Sequence, residues 1–227
     1  MLDETFLRLK ALVGENAIKS LEKERVLIFG VGGVGGHVAI ALARSAFLNI
    51  DLVDGDVFSF SNINRQIGAT TKTIGQQKCL VLKEMIKKIN PLCSVETYDF
   101  FYSKETKNLI DFSKYSYVVD AVDDLDAKVL IARKAKQNSV RIVSSMGAGN
   151  KFSPTGVMVE DIFKTSYCPL ARVLRKRLRE EGISSLKVVY SKEKPQKIDE
   201  DFVGSCYFVP AAFGNLIAYT VFKDCIS

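Results

Sequence analysis

Residues 25–66 read RVLIFGVGGVGGHVAIALARSAFLNIDLVDGDVFSFSNINRQ. A short apolar run, Arg25 to Phe29, leads into a glycine-rich turn, and a helix-forming stretch follows it. A second apolar strand ends in Asp54, and an Asn/Arg/Gln cluster closes the segment. Gly30, Gly32 and Gly35 satisfy G-x-G-x-x-G in the strand–turn–helix setting that this motif requires. Glycine lets such a turn tighten and lets backbone N–H groups approach a phosphate, while the helix N-terminus adds partial positive charge. Asp54 follows at about the 20-residue spacing at which a carboxylate accepts hydrogen bonds from ribose hydroxyls. A dinucleotide and a mononucleotide both fit this half of the motif. The tail Asn62-Ile63-Asn64-Arg65-Gln66 separates them.

Outward from this segment, strands and helices alternate. The pattern predicts a helix over 3–22 with Phe6, Leu7, Leu9, Leu12 and Val13 on its apolar face, then strand 25–30, helix 34–47 and strand 49–54. Helix 75–89, bracketed by Gly75 and Pro91, is followed by strand 94–99, a short helix near 103–111, strand 116–121, helix 124–138 and strand 140–145. Val26 to Phe29, Tyr117 to Val119 and Val140 to Val143 are continuous apolar runs, the pattern of strands covered by helices on both faces. The fold class is therefore α/β, a doubly wound, mostly parallel, Rossmann-like sheet. After Gly149 the rhythm changes to an α+β extension: an extra strand near 155–160, an amphipathic helix over 169–181 and a strand at Lys187 to Tyr190. A polar loop over 191–201 then leads to an apolar helix from about Pro210.

At 227 residues the chain accommodates one substantial core, so residues 1–227 are taken as a single domain: an N-terminal helical arm (1–22), a nucleotide-binding core (23–150), an insertion (151–203) and a C-terminal packing helix (204–227). No apolar run reaches membrane-spanning length and the first residues do not have the order of a secretory signal, so the expectation is a cytoplasmic protein with no membrane contact. The five cysteines include no C-x-x-C pair, which argues against a disulfide framework and a structural zinc site. His37 is the sole histidine and reads as a helix-face residue, leaving Ser-His-Asp and Cys-His chemistry without a base. The net charge is +6, and Lys164 to Lys197 alone holds ten Lys/Arg against three Glu. Such concentration points to a polyanionic partner, although a solvated helix face paired with acids elsewhere has the same composition.

The residues after the second strand bear on chemistry. Arg65 offers a charge-assisted fork to phosphate oxygens, while the amides of Asn62, Asn64 and Gln66 suit ribose or phosphate oxygens. Lys78 opens the next helix, either within reach of the same phosphates or on a solvated face. In VVDAVDD, Asp120 and Asp123 end a strand where carboxylates hold Mg²⁺ on phosphates. Asp123 or Asp124 equally suits the N-cap of helix 124–138.

GVGGVG, LVDGD, NINRQ, the helix-opening lysine and D-A-x-D together closely resemble the ubiquitin-activating-like adenylyltransferase superfamily, with its ThiF- and MoeB-type members. The resemblance implies that MgATP activates a carboxylate as an acyl-adenylate. It implies phosphate binding by the glycine turn, with Asp54 and Asp56 of LVDGD in the nucleotide site, and triphosphate contacts from Asn62, Arg65 and Lys78. Asp123 would hold Mg²⁺, and Arg8 would enter the site of a partner subunit in a homodimer. An exposed helix arginine is the plain alternative for Arg8.

The C-terminal half, through MGAGNKFSPTGVMVEDIFKTSYCPLARVLRKRLREEGI, KVVYSKEKP and GSCYFVPAAFG, is similar to the tRNA threonylcarbamoyladenosine dehydratase branch of that superfamily. That branch uses ATP to activate the carboxylate of the threonylcarbamoyl group on adenosine 37 of tRNA and closes it into a ring. By this resemblance, 151–203 is a tRNA-facing insertion in which Arg172, Arg175, Lys176, Arg177 and Arg179 contact phosphates, and a sulfurtransferase-type protein is a partner. Ring closure is intramolecular and needs no protein nucleophile; Cys168 and Cys206 read as small packed residues, with a thioester-forming role as the alternative, weaker still for Cys206. The chain departs from the branch at Gly36, where serine is common, and at Gly68, where histidine is common. Three other readings compete. An adenylyltransferase acting on the C-terminal glycine of a sulfur-carrier protein is opposed by the missing C-x-x-C pairs. A nicotinamide-dependent oxidoreductase gives NINRQ and DAVDD no role. A non-catalytic nucleotide-binding scaffold leaves the full set of ATP-site residues unexplained.

Overall fold

The computed structural model describes residues 2–227. Seven strands, β1 Arg25–Phe29, β2 Asn49–Val53, β3 Thr97–Tyr98, β4 Tyr117–Asp120, β5 Arg141–Ser145, β6 Val157–Asp161 and β7 Lys187–Ser191, form one sheet in the order β3-β2-β1-β4-β5-β7-β6. All neighbours run parallel except β6, which returns antiparallel on β7 at the edge. The doubly wound, mostly parallel sheet expected from the apolar runs is thus the fold that forms. Around it lie α1 Leu2–Thr5, α2 Leu7–Val13, α3 Glu15–Lys23, α4 Gly35–Ala43, α5 Lys78–Ile89, α6 Leu125–Gln137, α7 Pro169–Glu180 and α8 Phe208–Ile226.

The alternation of side chains along a strand divides β1 between two cores. Val26 and Ile28 join α4, α5 and α8 through Val38, Leu42, Leu82, Ile86, Phe213 and Ile217. Leu27 and Phe29 face the opposite layer, with Phe112, Leu130, Ile131 and Ala135. This is why the strand is a continuous apolar run in the sequence. A third cluster joins α6 and α7 through Val129, Ala132, Leu174 and Leu178, and it fixes the basic helix to the sheet edge.

Several local features differ from the sequence expectation. The N-terminal helix is divided at Phe6 and at Gly14, whose φ of +86° breaks the helical path. Leu7 and Leu12 consequently lie exposed rather than on a buried face. The segment 103–111 forms turns, not a helix, because its hydroxyls engage the backbone locally. Thr106 Oγ1 accepts from Ser103 N at 2.8 Å and donates to Phe101 O at 2.8 Å, and Ser103 Oγ accepts from Glu105 N at 3.2 Å. Helix α8 begins two residues before Pro210, which falls in the first turn where its missing N–H costs no helical bond. Among the described residues no helix is long and apolar enough to cross a membrane.

A buried ion pair ties the carboxyl ends of β4 and β5 to α6. Lys128 is fully enclosed and donates to Asp120 Oδ1 and Oδ2 at 3.1 and 3.0 Å and to Ser145 O at 2.7 Å. Ser144 Oγ donates to Asp120 Oδ2 at 2.5 Å. Asp120 is therefore occupied within the core and is not offered to a metal. Removing one partner leaves the other charge buried and uncompensated, so Lys128→Met is expected to cost about 3–5 kcal/mol. Urea unfolding measures this, and a loss below about 1 kcal/mol would show that the pair does not hold the sheet end.

Candidate nucleotide-binding site

In an open parallel sheet, ligands sit beyond the strand ends where the chain reverses its direction of winding. Here that point lies between β1 and β4, whose following helices α4 and α6 pack on opposite faces. A cleft of about 1060 Å³ opens there. Gly30, Gly32, Gly33, Asp54, Asp56, Asn62, Arg65, Gln66, Lys78 and Asp123 all line it.

The glycine turn is dictated by close approach. Gly30 has a φ of +78°, and a Cβ there would stand 2.7 Å from Ala121 O. At Gly35 a Cβ would fall 1.8 Å from Gly30 O, so α4 starts in backbone contact with the end of β1. Gly35 thus lies beneath the cleft instead of along its lining, and it acts by permitting the turn. Beyond it, Asp54 ties two loops together. Its Oδ2 accepts from Val31 N at 2.8 Å and its Oδ1 from Asp56 N at 2.9 Å. Burial lifts the Asp54 carboxyl above its ordinary value, although nearby Lys78 and the two backbone donors oppose the shift.

Lys78 is the first residue of α5 and is buried, with Nζ 2.9 Å from Asp56 Oδ2. The solvated-face alternative for this lysine is therefore excluded by its position. Asn62 ends a 3₁₀ turn, where its Oδ1 accepts from Ser59 N at 3.1 Å. Arg65 donates to Ser61 O at 2.7 Å and to Asn64 Oδ1 at 3.0 Å, while Asn64 Nδ2 donates to Ser205 O at 2.9 Å. Asn64 does not line the cleft; it steadies Arg65 and ties the segment to the stretch before α8. Gln66 is buried in the wall, and its Oε1 has no hydrogen-bond partner.

Asp123 and its neighbour divide two roles. Asp124 caps α6, its Oδ1 accepting from Ala127 N at 2.7 Å. Asp123 is exposed to the cleft. Magnesium commonly takes one or two carboxylates and fills its remaining positions with phosphate oxygens and water, and Asp123 suits that arrangement. The residues present fit a nucleotide with its metal: a glycine turn open to backbone approach, two cations, the half-buried Asp54 carboxylate and the exposed Asp123.

Other sequence candidates lie elsewhere. Arg8 is exposed on α2 and does not line the cleft of its own chain. His37 is buried against Tyr207, with ring centroids 5.2 Å apart, and burial holds its pKa below the usual value. Within the basic helix, Arg175 Nη1 donates to Thr165 Oγ1 at 2.5 Å and to Ile162 O at 3.2 Å. Arg177 pairs with Asp126 at 2.6 Å, and Arg179 lies over the Phe163 ring at 5.0 Å. Arg172 and Lys176 point outward and exposed. Cys168 caps α7, its Sγ accepting from Ala171 N at 3.5 Å. At Gly68 a Cβ would come 2.6 Å from Phe58 Cζ, so a histidine could not occupy this position without moving that ring.

Sequence reasoning passed over part of the cleft wall. Phe100 to Tyr102 line it from the connection after the expected strand 94–99, Ser103 to Glu105 from the segment expected to be helical, and Gly147, Gly149, Leu170, Val203 and Pro210 from the C-terminal half. The MGAG glycines were visible as a change in rhythm, but nothing in their spacing placed them at this cleft.

A switch-point cleft with this glycine turn, half-buried carboxylate and pair of cations defines a nucleotide-binding α/β domain. The chain belongs to the ThiF family, which it matches over residues 6–223. It is 39% identical to the tRNA threonylcarbamoyladenosine dehydratase of Bacillus subtilis (strain 168), over 86% of this chain and 78% of that one. Its structure is similar to the crystal structure of the Escherichia coli tRNA N6-threonylcarbamoyladenosine dehydratase in complex with AMP, with a TM-score of 0.93 and 31% identity, covering 99% of this chain and 94% of that one. The complex of the same enzyme with ATP gives a TM-score of 0.91. An adenylyltransferase and sulfurtransferase of Debaryomyces hansenii is 34% identical, but over only 56% of this chain and 28% of its own length.

The raised Asp54 pKa has a determined sign. The stability associated with the shift is present in acid and lost as pH rises through the folded pKa. If ribose hydroxyls donate to Asp54, nucleotide affinity runs the other way, because such donors favour the charged form. Calorimetric titration with AMP from about pH 7 to about pH 4 should show binding weaken above the usual aspartate range. Asp54→Asn should lower affinity about tenfold at neutral pH and flatten that dependence. A variant that keeps the wild-type pH profile would remove Asp54 from the ribose contact.

Proposed function

We propose that this chain is an ATP-dependent dehydratase of tRNA. It activates the carboxylate of N6-threonylcarbamoyladenosine at position 37 as an adenylate and closes it into the cyclic form. The observation that carries this reading is the near-complete superposition on the E. coli dehydratase in its AMP complex, together with a switch-point cleft lined by the glycine turn, Asp54, Arg65 and Lys78. The carrier-protein alternative draws its similarity from about half of the chain.

In the proposed reaction a carboxylate oxygen bonds to the α-phosphorus and pyrophosphate leaves. Attack within the threonylcarbamoyl group on the activated carbonyl then releases AMP, so that one water is lost overall. Asp54 would orient the ribose, and the N–H groups of the Gly30–Gly33 turn would face the phosphates. Arg65, held by Ser61 O and Asn64, and Lys78, held by Asp56, would offset charge developing on the phosphoryl oxygens. Fixing both cations before reaction removes reorganisation from the chemical step. Asp123 would hold Mg²⁺, which supplies charge neutralisation on phosphate oxygens. Because ring closure is intramolecular, positioning is the main demand on the rest of the cleft.

The same reading places the protein in the cytoplasm as a homodimer, with residues 151–203 toward tRNA and a sulfurtransferase-type protein as a partner. Exposed Leu7 and Leu12 flank Arg8 on α2 and support a subunit contact there, with Arg8 reaching the cleft of the partner subunit. Mixing Arg8→Ala with Asp123→Ala should then regenerate intact sites in the mixed dimers, to about one quarter of wild-type activity. Activity no higher than the sum of the two variants would place Arg8 outside the partner's site.

The direct test is incubation of purified protein with MgATP and threonylcarbamoyl-modified tRNA, followed by nucleoside mass analysis. Loss of one water from the modified adenosine is the expected result. An unchanged nucleoside, with ATP–pyrophosphate exchange appearing only on addition of a carrier protein, would move the assignment to the carrier-protein reaction.

A further inference from the structure

The basic segment contains two kinds of cation, and the distinction points to a contact surface. Arg175, Arg177 and Lys187 are engaged by Thr165, Asp126 and Asp224 respectively. The exposed cations without an acidic partner gather elsewhere, at Lys164, Arg172 and Lys176 and on the loop after β7 at Lys192, Lys194 and Lys197. Two aromatic rings stand beside that loop. Phe152 is 66% exposed, and its backbone N–H donates to Glu193 Oε1 at 3.2 Å. Tyr167 is 58% exposed, with Lys194 Nζ 5.0 Å from its ring centroid.

Neither ring is placed by core packing. Tyr167 has a φ of +55°, a left-handed conformation that is uncommon and strained for a bulky residue. It turns the ring outward immediately before Cys168 and the start of α7. Both rings lie within three residues of the cleft wall along the chain. Leu170, three residues past Tyr167, lines it, and Gly149, three residues before Phe152, lines it as well. The 191–197 loop is fixed against this lip, with Lys151 Nζ donating to Glu193 O at 2.7 Å and Gln196 N to Asn150 O at 2.6 Å.

Unpaired RNA is recognised where bases stack on aromatic faces while neighbouring cations take the backbone phosphates. We propose that Tyr167 and Phe152, with Lys192, Lys194 and Lys197 of the loop beside them, form a stacking platform for unpaired nucleotides of an RNA loop near the lip of the nucleotide cleft. This deepens the tRNA reading of the same site and rests on it for the identity of the RNA. Lys194 covers one face of Tyr167, and a base takes the other. The platform would hold nucleotides flanking the reacting adenosine, while Arg172 and Lys176 engage the phosphates of the adjoining stem.

Fluorescence anisotropy on the full chain tests this with a labelled anticodon stem–loop RNA and a blunt RNA duplex of equal length. Tyr167→Ala should weaken stem–loop binding about tenfold and leave duplex binding unchanged, and Tyr167→Phe should retain wild-type affinity. The paired variant Lys194→Ala/Lys197→Ala should weaken both RNAs and lessen the salt dependence. Unchanged AMP affinity in Tyr167→Ala reports that the fold is intact. Equal stem–loop affinity in Tyr167→Ala and wild type, or equal loss on both RNAs, would overturn the platform. Its failure is distinguishable from failure of the dehydratase reading. If wild type forms the cyclic nucleoside but Tyr167→Ala leaves the KM for tRNA unchanged, only the platform falls. If stem–loop binding depends on Tyr167 and no cyclic product forms, the platform stands and the reaction does not.

Discussion

The contact on which the site depends is the one between Gly35 and the carbonyl of Gly30. No side-chain atom fits between them, so the first turn of α4 rests directly on the end of β1. That contact points the helix N-terminus and the turn's N–H groups into the cleft. It also brings Val31 N to the Asp54 carboxylate, so the end of β2 is fixed by the same turn. Asp54 in turn receives Asp56 N, and Asp56 holds Lys78. A backbone approach in one place thus sets a chain of polar contacts that positions a carboxylate and a cation across the cleft.

The opposite wall has its own anchor. Asp120 and Lys128 are sealed in the core, where they join β4, β5 and α6. Two and three residues beyond this pair, Val122 and Asp123 already face the cleft. The carboxylate nearest the strand end is therefore structural, while the exposed one three residues on lines the cleft. Buried pairs of this kind contribute less to net stability than their distances imply, since desolvation opposes the attraction. Their value here lies in fixing where the loop leaves the sheet.

Much of the sheet was legible because buried parallel strands leave continuous apolar runs, as in Val26 to Phe29 and Tyr117 to Val119. That Asp54, Arg65, Gln66 and Lys78 share one cleft was legible from their position after a glycine turn, at the strand ends where ligands sit in such a sheet. What escaped depends on tertiary contact. Nothing local distinguishes Asn64, which braces Arg65 from outside the cleft, from Asn62, which lines it. The 103–111 segment has helical composition, but Ser103 and Thr106 satisfy the backbone as turns and place Phe101 at the cleft. The arginines of α7 looked equivalent on a helical face, yet Thr165 and Asp126 remove two of them from solvent-facing duty.

In the proposed reaction a carboxylate of the RNA substrate becomes bonded to the α-phosphorus in this cleft. Transfer of a heavy-oxygen label from that carboxylate measures this most directly. With the threonylcarbamoyl carboxylate labelled, the account predicts one labelled oxygen in the phosphate of the released AMP. Label retained wholly in the nucleoside or passed to water, with unlabelled AMP, would contradict it.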